Sequence, residues 1–170
     1  LLGRKVVSDV DGCYLDQTSD FPRICRIPLS ASGKPLYNHH NFDAWWGSHW
    51  SLDILWSMAY PHLMDDFCNT MLDMYRNGGL IPRGPSGGNY TYVMIGDPAV
   101  SFFATAYNKG IRNYDADLAY EGLRKNAFPG GIRDHAGYEH SKDAHSGGME
   151  YYIKMGYVPD GRANVVGMHT

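Results

Sequence analysis

The sequence predicts a mainly α-helical chain that forms one sector of an α/α toroid with long irregular loops. Apolar residues recur at helical spacing in several segments between Trp50 and Ala127. Long loops rich in glycine, proline and aromatic residues separate these segments. In such a toroid, paired helices form a ring, and the loops at one end of the ring form the site. We therefore divide the chain into an irregular lead-in at 1–45, helical hairpins at 46–127 and a Gly- and His-rich loop region at 128–170.

The lead-in is predicted to form loops and a few strands, because Pro, Gly and Asn break its short apolar runs. Within it, VVSDVDGCYLD places Asp9 and Asp11 as in the nucleophile loop of haloacid-dehalogenase-type phosphatases. That hypothesis is weakened because Ser101 stands where a partner carboxylate is expected, and because no α/β alternation follows. A calcium-type loop with Asp9, Asp11 and Asp16 as oxygen ligands, or a simple Asp-rich turn, are the alternatives.

Two helices are predicted next, one over residues 50–60 and one from Pro61 to about Asn77. Gly78 and Gly79 form the stop signal of the second helix. The residues predicted to face the core are Leu52, Leu55, Trp56 and Ala59 in the first helix, and Met64, Phe67, Cys68, Met71 and Tyr75 in the second. The opposite side of the second helix carries Asp65, Asn69, Asp73 and Arg76.

A long loop over residues 80–96 precedes two further helices. Its length in a compact domain indicates a functional segment, and its aromatic and β-branched residues argue against disorder. Asp97 is predicted to be the N-cap of the third helix, with Pro98 at its first position and Gly110 as its end. Asp115 is predicted to cap a fourth helix that runs to about Ala127. The third helix is predicted to bury Ala99, Phe102, Phe103 and Ala106.

Length and composition bound the class of protein. The 170 residues correspond to one domain of ordinary size, and a net charge of −3 gives no electrostatic case for nucleic acid or an anionic membrane. No apolar run is long enough to span a membrane. Three free thiols, at Cys13, Cys25 and Cys68, are the default expectation, although a bridge between Cys13 and Cys25 stays open. Because the chain starts without Met, we expect an internal piece of a longer protein.

The four tryptophans lie between Trp45 and Trp56, beside carboxylates, an arginine and an amide. Aromatic faces stack on the apolar faces of pyranose rings, and planar polar groups can fix sugar hydroxyls. Tryptophan is also a large apolar residue that is often buried in the core. The cluster therefore indicates either a sugar-binding surface or a hydrophobic core.

Three blocks in order, WWGSHWSLDILW, GGLIPRGPSGGNYTYVMIGDPA and AYNKGIR, resemble glycoside hydrolase family 92, the exo-acting α-mannosidases. The resemblance extends from SDVDGCYLD to YVPDG and so covers most of the chain. It implies that the chain is a segment of an (α/α)6 toroid catalytic domain that stands beside a β-sandwich domain. It also implies calcium-dependent, inverting hydrolysis of terminal α-linked mannose from a mannose-containing glycan. The remainder of the same catalytic domain would then be the partner of this segment.

The resemblance places the catalytic acid, the base and most calcium ligands beyond YVPDG, so no catalytic residue is expected here and the metal ligands stay unknown. Asp53 matches the aspartate of the family's W-D-T-x-R pattern, but Trp56 replaces its arginine, and Arg83 is a substitute cation. Asp97 matches the family's G-D-H pattern, in which Pro98 replaces the histidine. The residues expected to contact the substrate are Asp53, Arg83, Asp97, Trp46, His49 and Asn89.

Other polar residues indicate a functional site less strongly than the residues above. His39 and His40 are adjacent, and DHAGYEH brings His135, Glu139 and His140 close together, but the spacing is not that of a zinc site. These residues are interpreted as polar loop residues, or as part of a pocket rim. The family resemblance implies a secreted, periplasmic or cell-surface location. A non-catalytic carbohydrate-binding remnant is the alternative function to the mannosidase.

Overall fold

The computed structural model describes residues 5–42, 45, 47–84, 88–90, 96–134 and 148–159. Four short strands, β1 to β4, lie in the lead-in. The strands are Lys5–Val6, Cys13–Asp16, Arg23–Arg26 and His40–Asn41. β1 pairs with β4 and β2 pairs with β3, both antiparallel. The helices that follow, α1 to α5, are Leu52–Ala59, Pro61–Gly78, Ala99–Asn108, Ala116–Asn126 and Gly148–Met155.

The described part of the chain is therefore mainly helical, as predicted, and its arrangement is compatible with a sector of a toroid. Single turns of 3-10 helix at Ser48–Trp50 and Ile132–Asp134 connect the regular elements. Among the described residues, no helix combines the length and the apolar character needed to cross a bilayer. The predicted loop region at 128–170 contains α5, which was not predicted. Its Gly-rich start and short length give little helical periodicity to detect.

All three cysteines are free, as expected. In the β2–β3 ladder, Cys13 lies opposite Arg26, whereas Cys25 lies opposite Tyr14. Because successive residues of a strand point to opposite faces of the sheet, the two cysteines point to different faces. This register excludes the bridge between them that the sequence left open.

The core is aromatic. Trp45 and Trp56 are fully buried, and their ring centroids lie 6.0 Å apart in an edge-on arrangement. Both rings also contact Phe67 and Phe102, which come from α2 and α3. The core interpretation is thus confirmed for these two tryptophans. Trp50, in contrast, is 70% exposed.

α1 forms where the sequence predicts a helix, but its orientation differs from the prediction. Trp56 is buried and Leu52 packs against the core, as expected. Leu55 and Ala59 are exposed, whereas Asp53, which was not among the residues predicted to face the core, is fully buried. Because Asp53 and Trp56 are three positions apart, they share one face, and this face is the inward one. The predicted stripe was therefore right at Leu52 and Trp56 and wrong at Leu55 and Ala59.

α2 is covered on both sides. Its apolar side, including the predicted Phe67, packs into the core, and Gly79 ends the helix in the left-handed conformation at φ 86°. Its polar side is covered by other segments of the chain. The Asp65 carboxylate accepts a hydrogen bond from the Asn113 backbone N–H at 2.9 Å, and the Tyr37 hydroxyl donates to the Asp73 carboxylate at 2.9 Å. The polar side of this helix is therefore a second, hydrogen-bonded interface.

α3 buries the predicted apolar residues and stops before Gly110, but its predicted N-cap is wrong. The helix begins at Ala99, Pro98 occupies the N-cap position, and no side chain caps the first turn. The Asp97 carboxylate faces Asn126 and Arg133 instead. Long-range partners thus take the side chain that the local pattern assigned to the helix. The predicted buried residues of α3 are Ala99, Phe102, Phe103 and Ala106, and all four are buried.

α4 begins as predicted, because the Asp115 carboxylate accepts a hydrogen bond from the Leu118 backbone N–H at 2.9 Å. Asp115→Ala is expected to lower the free energy of unfolding by about 1 kcal/mol, since the cap would be lost. Urea denaturation of the wild type and the variant measures this difference. Asp115→Asn is the matched control, because asparagine caps about as well as aspartate. A full-sized loss in the asparagine variant would contradict the capping role.

Candidate functional site

Arg83 lies in the segment that follows α2, and it is fully buried at 0% exposure. Its carbonyl oxygen accepts a hydrogen bond from the Trp45 backbone N–H at 3.1 Å. Its Nη2 atom donates to the carbonyl oxygen of Ile132. A guanidinium removed from water needs such partners. Arg83 therefore joins three parts of the fold, which are the end of the lead-in, the segment after α2 and the turn after α4.

Asp97 is 5% exposed and lies within electrostatic reach of Arg83. Its Oδ1 atom is 3.4 Å from Asn126 Nδ2, and its Oδ2 atom is 3.7 Å from Arg133 Nε. Burial raises the pKa of Asp97 to about 6, and the charges of Arg133 and Arg83 with the Asn126 hydrogen bond offset part of that rise. We refer to Arg83, Asp97, Asn126 and Arg133 as the arginine–aspartate cluster.

Asn126 is a member of this cluster that sequence reasoning missed. It is the last residue of α4 and is fully buried. Its Nδ2 atom donates to the Ile81 carbonyl oxygen at 2.8 Å as well as facing Asp97. Asparagine is common near helix ends, so the local sequence does not indicate that Asn126 would bond to Asp97 and Ile81. Its function becomes visible only once the segment after α2 is placed beside α4.

Asp53 lies on the inward face of α1 and is completely buried. The pKa of the Cys68 thiol is raised by burial and then by the nearby carboxylates of Asp65 and Asp53. The Asp53 carboxylate therefore lies within electrostatic reach of Cys68 on α2. A buried carboxylate in a helix interface is a functional candidate, because its desolvation must be offset by other interactions.

The remaining predicted contacts do not join the cluster. Trp46 lies outside the described residues. His49 is exposed, with its ring against Trp50 at a centroid distance of 5.5 Å. Asn89 is exposed, and its Oδ1 atom accepts a hydrogen bond from the Tyr90 backbone N–H at 2.7 Å. The structure therefore brings Arg83 and Asp97 together and leaves His49 and Asn89 at the surface.

The aspartates of the lead-in form a turn. Asp9 pairs through its backbone with Cys13, and the Asp11 carboxylate accepts from the Cys13 backbone N–H at 3.0 Å. Asp16 instead forms an ion pair with Arg23, with Oδ2 3.1 Å from Nε. The Asp11 and Asp16 carboxylates thus serve separate local contacts, and Asp9 bonds through its backbone, which favours the Asp-rich turn over a calcium-type loop. The paired strands here are antiparallel, unlike the parallel sheet that the phosphatase hypothesis requires.

The two adjacent histidines also face separate carboxylates. His39 Nδ1 is 3.4 Å from Asp73, and His40 Nε2 is 3.3 Å from Asp66. Across the described ranges, no three or more His, Cys, Asp or Glu side chains converge on one point that could hold a metal ion. His135, Glu139 and His140 lie outside the residues that the structure describes.

Three cavities among the described residues are lined by side chains outside the cluster. One of about 440 Å³ separates α3 from α4, and two of about 480 and 400 Å³ lie along the polar side of α2. Their polar lining side chains, such as Asp73 and Asn69, already bond to one another or to the backbone. The arginine–aspartate cluster is a different kind of candidate, in which buried ionic groups hold a partly exposed arginine.

Comparison with solved structures identifies similar folds. A family GH92 alpha-mannosidase from Bacteroides thetaiotaomicron in complex with mannoimidazole matches with a TM-score of 0.69 and 22% identity, over 93% of this chain and 18% of that enzyme. A family GH92 inverting mannosidase from the same organism matches with a TM-score of 0.68 and 21% identity, over 92% of this chain and 19% of that enzyme. The chain thus spans less than a fifth of either enzyme, and at this identity the likeness shows the fold.

No curated protein matches the chain significantly. The sequence model of the glycosyl hydrolase family 92 catalytic domain, in contrast, matches residues 1–168. This match covers nearly the whole chain, including every member of the arginine–aspartate cluster. The chain therefore belongs to glycosyl hydrolase family 92, as a part of its catalytic domain.

Proposed function

We propose that the protein containing this segment is an exo-acting α-mannosidase that removes terminal mannose from glycans with inversion of configuration. The match of the family 92 catalytic-domain model to residues 1–168 carries this proposal. The structural neighbours described as an alpha-mannosidase and as an inverting mannosidase support it. Inverting hydrolysis requires a general acid and a general base roughly 6.5–9.5 Å apart on either side of the scissile bond.

We propose that this segment supplies pocket wall and sugar contacts, while the catalytic pair lies elsewhere in the domain. Asp53, Arg83 and Asp97 are buried, so their role is to shape and hold the wall. His49 and Asn89 are exposed and suit direct hydrogen bonds to sugar hydroxyls. Residues 46–127 then act as helical hairpins of the toroid, and the remainder of the catalytic domain completes the site.

Calcium is proposed as the cofactor because it is consistent with membership of family 92. Most of its ligands are proposed to lie elsewhere in the catalytic domain, outside this segment. When bound, the ion would supply positive charge that binds sugar hydroxyls. We also propose a secreted, periplasmic or cell-surface location for the protein. Treatment of the full-length protein with a chelator, followed by readdition of Ca²⁺ or Mg²⁺, tests the metal separately from the reaction.

The function is tested by incubating the full-length protein with α-mannobioses and with p-nitrophenyl α-mannoside. Release of mannose whose first-formed anomer is β, observed by NMR, is the expected result for an inverting enzyme. Binding of mannose without hydrolysis would favour the carbohydrate-binding alternative. Neither binding nor hydrolysis of any mannoside would overturn the proposal.

Asp53→Asn is expected to lower kcat/KM for the mannoside at least about 10²-fold, since a buried carboxyl group of the pocket wall would be lost. The isosteric change at a surface turn, Asp9→Asn, is the control and is expected to leave kcat/KM within about twofold. The phosphatase hypothesis requires the reverse order, with magnesium-dependent phosphate release that disappears in Asp9→Asn. Melting temperatures of both variants show whether a loss of activity is a loss of folding.

A further inference from the structure

Arg133 lies where the arginine–aspartate cluster reaches the surface. Its side chain is 27% exposed, while that of Asp97, its partner at 3.7 Å, has no exposed surface. The Arg133 Nε atom itself is buried. The exposed surface of the Arg133 side chain therefore comes from atoms other than Nε. One arginine thus connects a buried carboxylate to solvent, in a turn of the chain that directly follows α4.

The surroundings hold this arginine in place from two sides. Asp97 is fixed by Asn126, which is in turn bonded to the Ile81 carbonyl oxygen at 2.8 Å. The turn itself is fixed by Asp134, whose carboxylate accepts from the backbone N–H groups of Gly130 at 3.1 Å and Met149 at 3.3 Å. A side chain held in this way loses little conformational freedom when a ligand binds, which favours its use in recognition.

We propose that Arg133 is a glycan-contacting residue that helps to determine which sugar the site accepts, with Asp97 and Asn126 as its positioning residues. The inference rests on the proposed function and adds a residue to it. A guanidinium presents several N–H donors in a fixed plane, which suits adjacent hydroxyl oxygens of a pyranose. The Asp97 carboxylate lies 3.7 Å from Nε, at one edge of that plane, and the side chain is partly exposed, which leaves donors for the sugar.

The positioning role predicts a particular pH dependence of KM for the glycan. The charged groups that face Asp97 are Arg133 and Arg83, and Asn126 donates to it. With a pKa of about 6 for Asp97, protonation below that value removes the attraction that holds Arg133. KM for the glycan should therefore rise as the pH falls through about 6. The same rise should be absent when either Arg133 or Asp97 has lost its charge.

The test compares the full-length wild type with Arg133→Ala, Arg133→Lys and Asp97→Asn on an α-mannobiose. Arg133→Ala is expected to raise KM about tenfold with kcat within about twofold, because it removes binding that is equal in ground and transition states. Arg133→Lys is expected to raise KM by a smaller factor, since lysine keeps the charge but loses the planar donors. Asp97→Asn is expected to flatten the pH profile of KM.

Arg112→Ala is the matched control, because this arginine lies over the Tyr107 ring at 3.8 Å and bonds to the Tyr107 carbonyl oxygen, away from the cluster. An unchanged KM in Arg133→Ala, with a wild-type pH profile, would overturn the inference. The inference would also be overturned if Arg133→Ala lowered both the melting temperature and kcat and if Arg133→Lys fully restored both. That pattern indicates a structural ion pair. A wild type that does not hydrolyse mannosides would overturn the proposed function itself, and this inference with it.

Discussion

Gly131→Ala is expected to destabilise the protein by about 3 kcal/mol, one of the largest effects of any single methyl group in this fold. A Cβ atom at this position would lie 2.6 Å from both the Cα and the carbonyl oxygen of Asn126, and closer still to the carbonyl oxygen of Lys125. These obstacles are backbone atoms, which cannot rotate away as a side chain can. The methyl group would therefore push the turn that carries Arg133 away from the end of α4.

Urea denaturation of the wild type and Gly131→Ala at one temperature measures this loss as a shift in midpoint at constant slope. Gly47→Ala is the control, because a Cβ atom there meets no heavy atom within 4 Å and the local φ of −100° suits alanine. The control variant is expected to stay within about 0.5 kcal/mol of the wild type. A similarly small effect in Gly131→Ala would mean that the turn does not pack against α4 as described.

Asp97→Asn is expected to change how stability depends on pH. The pKa of Asp97 is raised by burial from 3.8 to about 6 in the folded protein, so folding favours the protonated form. The stability that this group contributes is complete below about pH 4 and is lost as the pH rises through about 6. The lost amount is about 3 kcal/mol, from 1.36 kcal/mol for each pH unit between the two values. Asparagine remains neutral and does not suffer this loss.

Relative to the wild type, the unfolding free energy of Asp97→Asn should therefore increase by about 3 kcal/mol between pH 4 and pH 7. Denaturation curves of both proteins at a series of pH values measure the difference, in which contributions from other titrating groups cancel. Asp117→Asn, at an exposed position in the first turn of α4, is the control and should show little such change. A constant difference between wild type and Asp97→Asn would show that the carboxylate is not desolvated in the folded protein.

The helices could be predicted because their signals are local. The spacing of Phe102, Phe103 and Ala106 defines the inward side of α3, and Asp115 caps α4 through a bond to a residue three positions later. Gly79 ends α2 for the equally local reason that glycine tolerates a positive φ. Each of these features depends on residues within about one helical turn. No knowledge of the tertiary arrangement is needed to recognise them.

The arginine–aspartate cluster could be predicted only in part. Asp97 was found through its place in a family motif, and Arg83 as a substitute for the arginine of the family pattern that this chain lacks, but Asp97 was assigned to the wrong partner. Its true partners, Asn126 and Arg133, are 29 and 36 positions away in sequence, and no local spacing relates them. Asp53 was misplaced for a similar reason, since a charge at helical spacing is normally taken as solvent-facing. Burial of polar groups is decided by tertiary contacts that a periodic pattern does not contain.

The second interface of α2 has a consequence for the order in which the chain can fold during synthesis. Thr70 bonds to a segment 30 residues before it, at His40, whereas Asp65 bonds to Asn113, 48 residues after it. As the polypeptide emerges from the ribosome, the first contact becomes available at once, but the second must wait for α3 to be made. Until then the Asp65 carboxylate has water for a partner, and closing a loop of that length is slow. We therefore expect α2 to dock first against the lead-in, and to become fully enclosed only after Asn113 has left the exit tunnel.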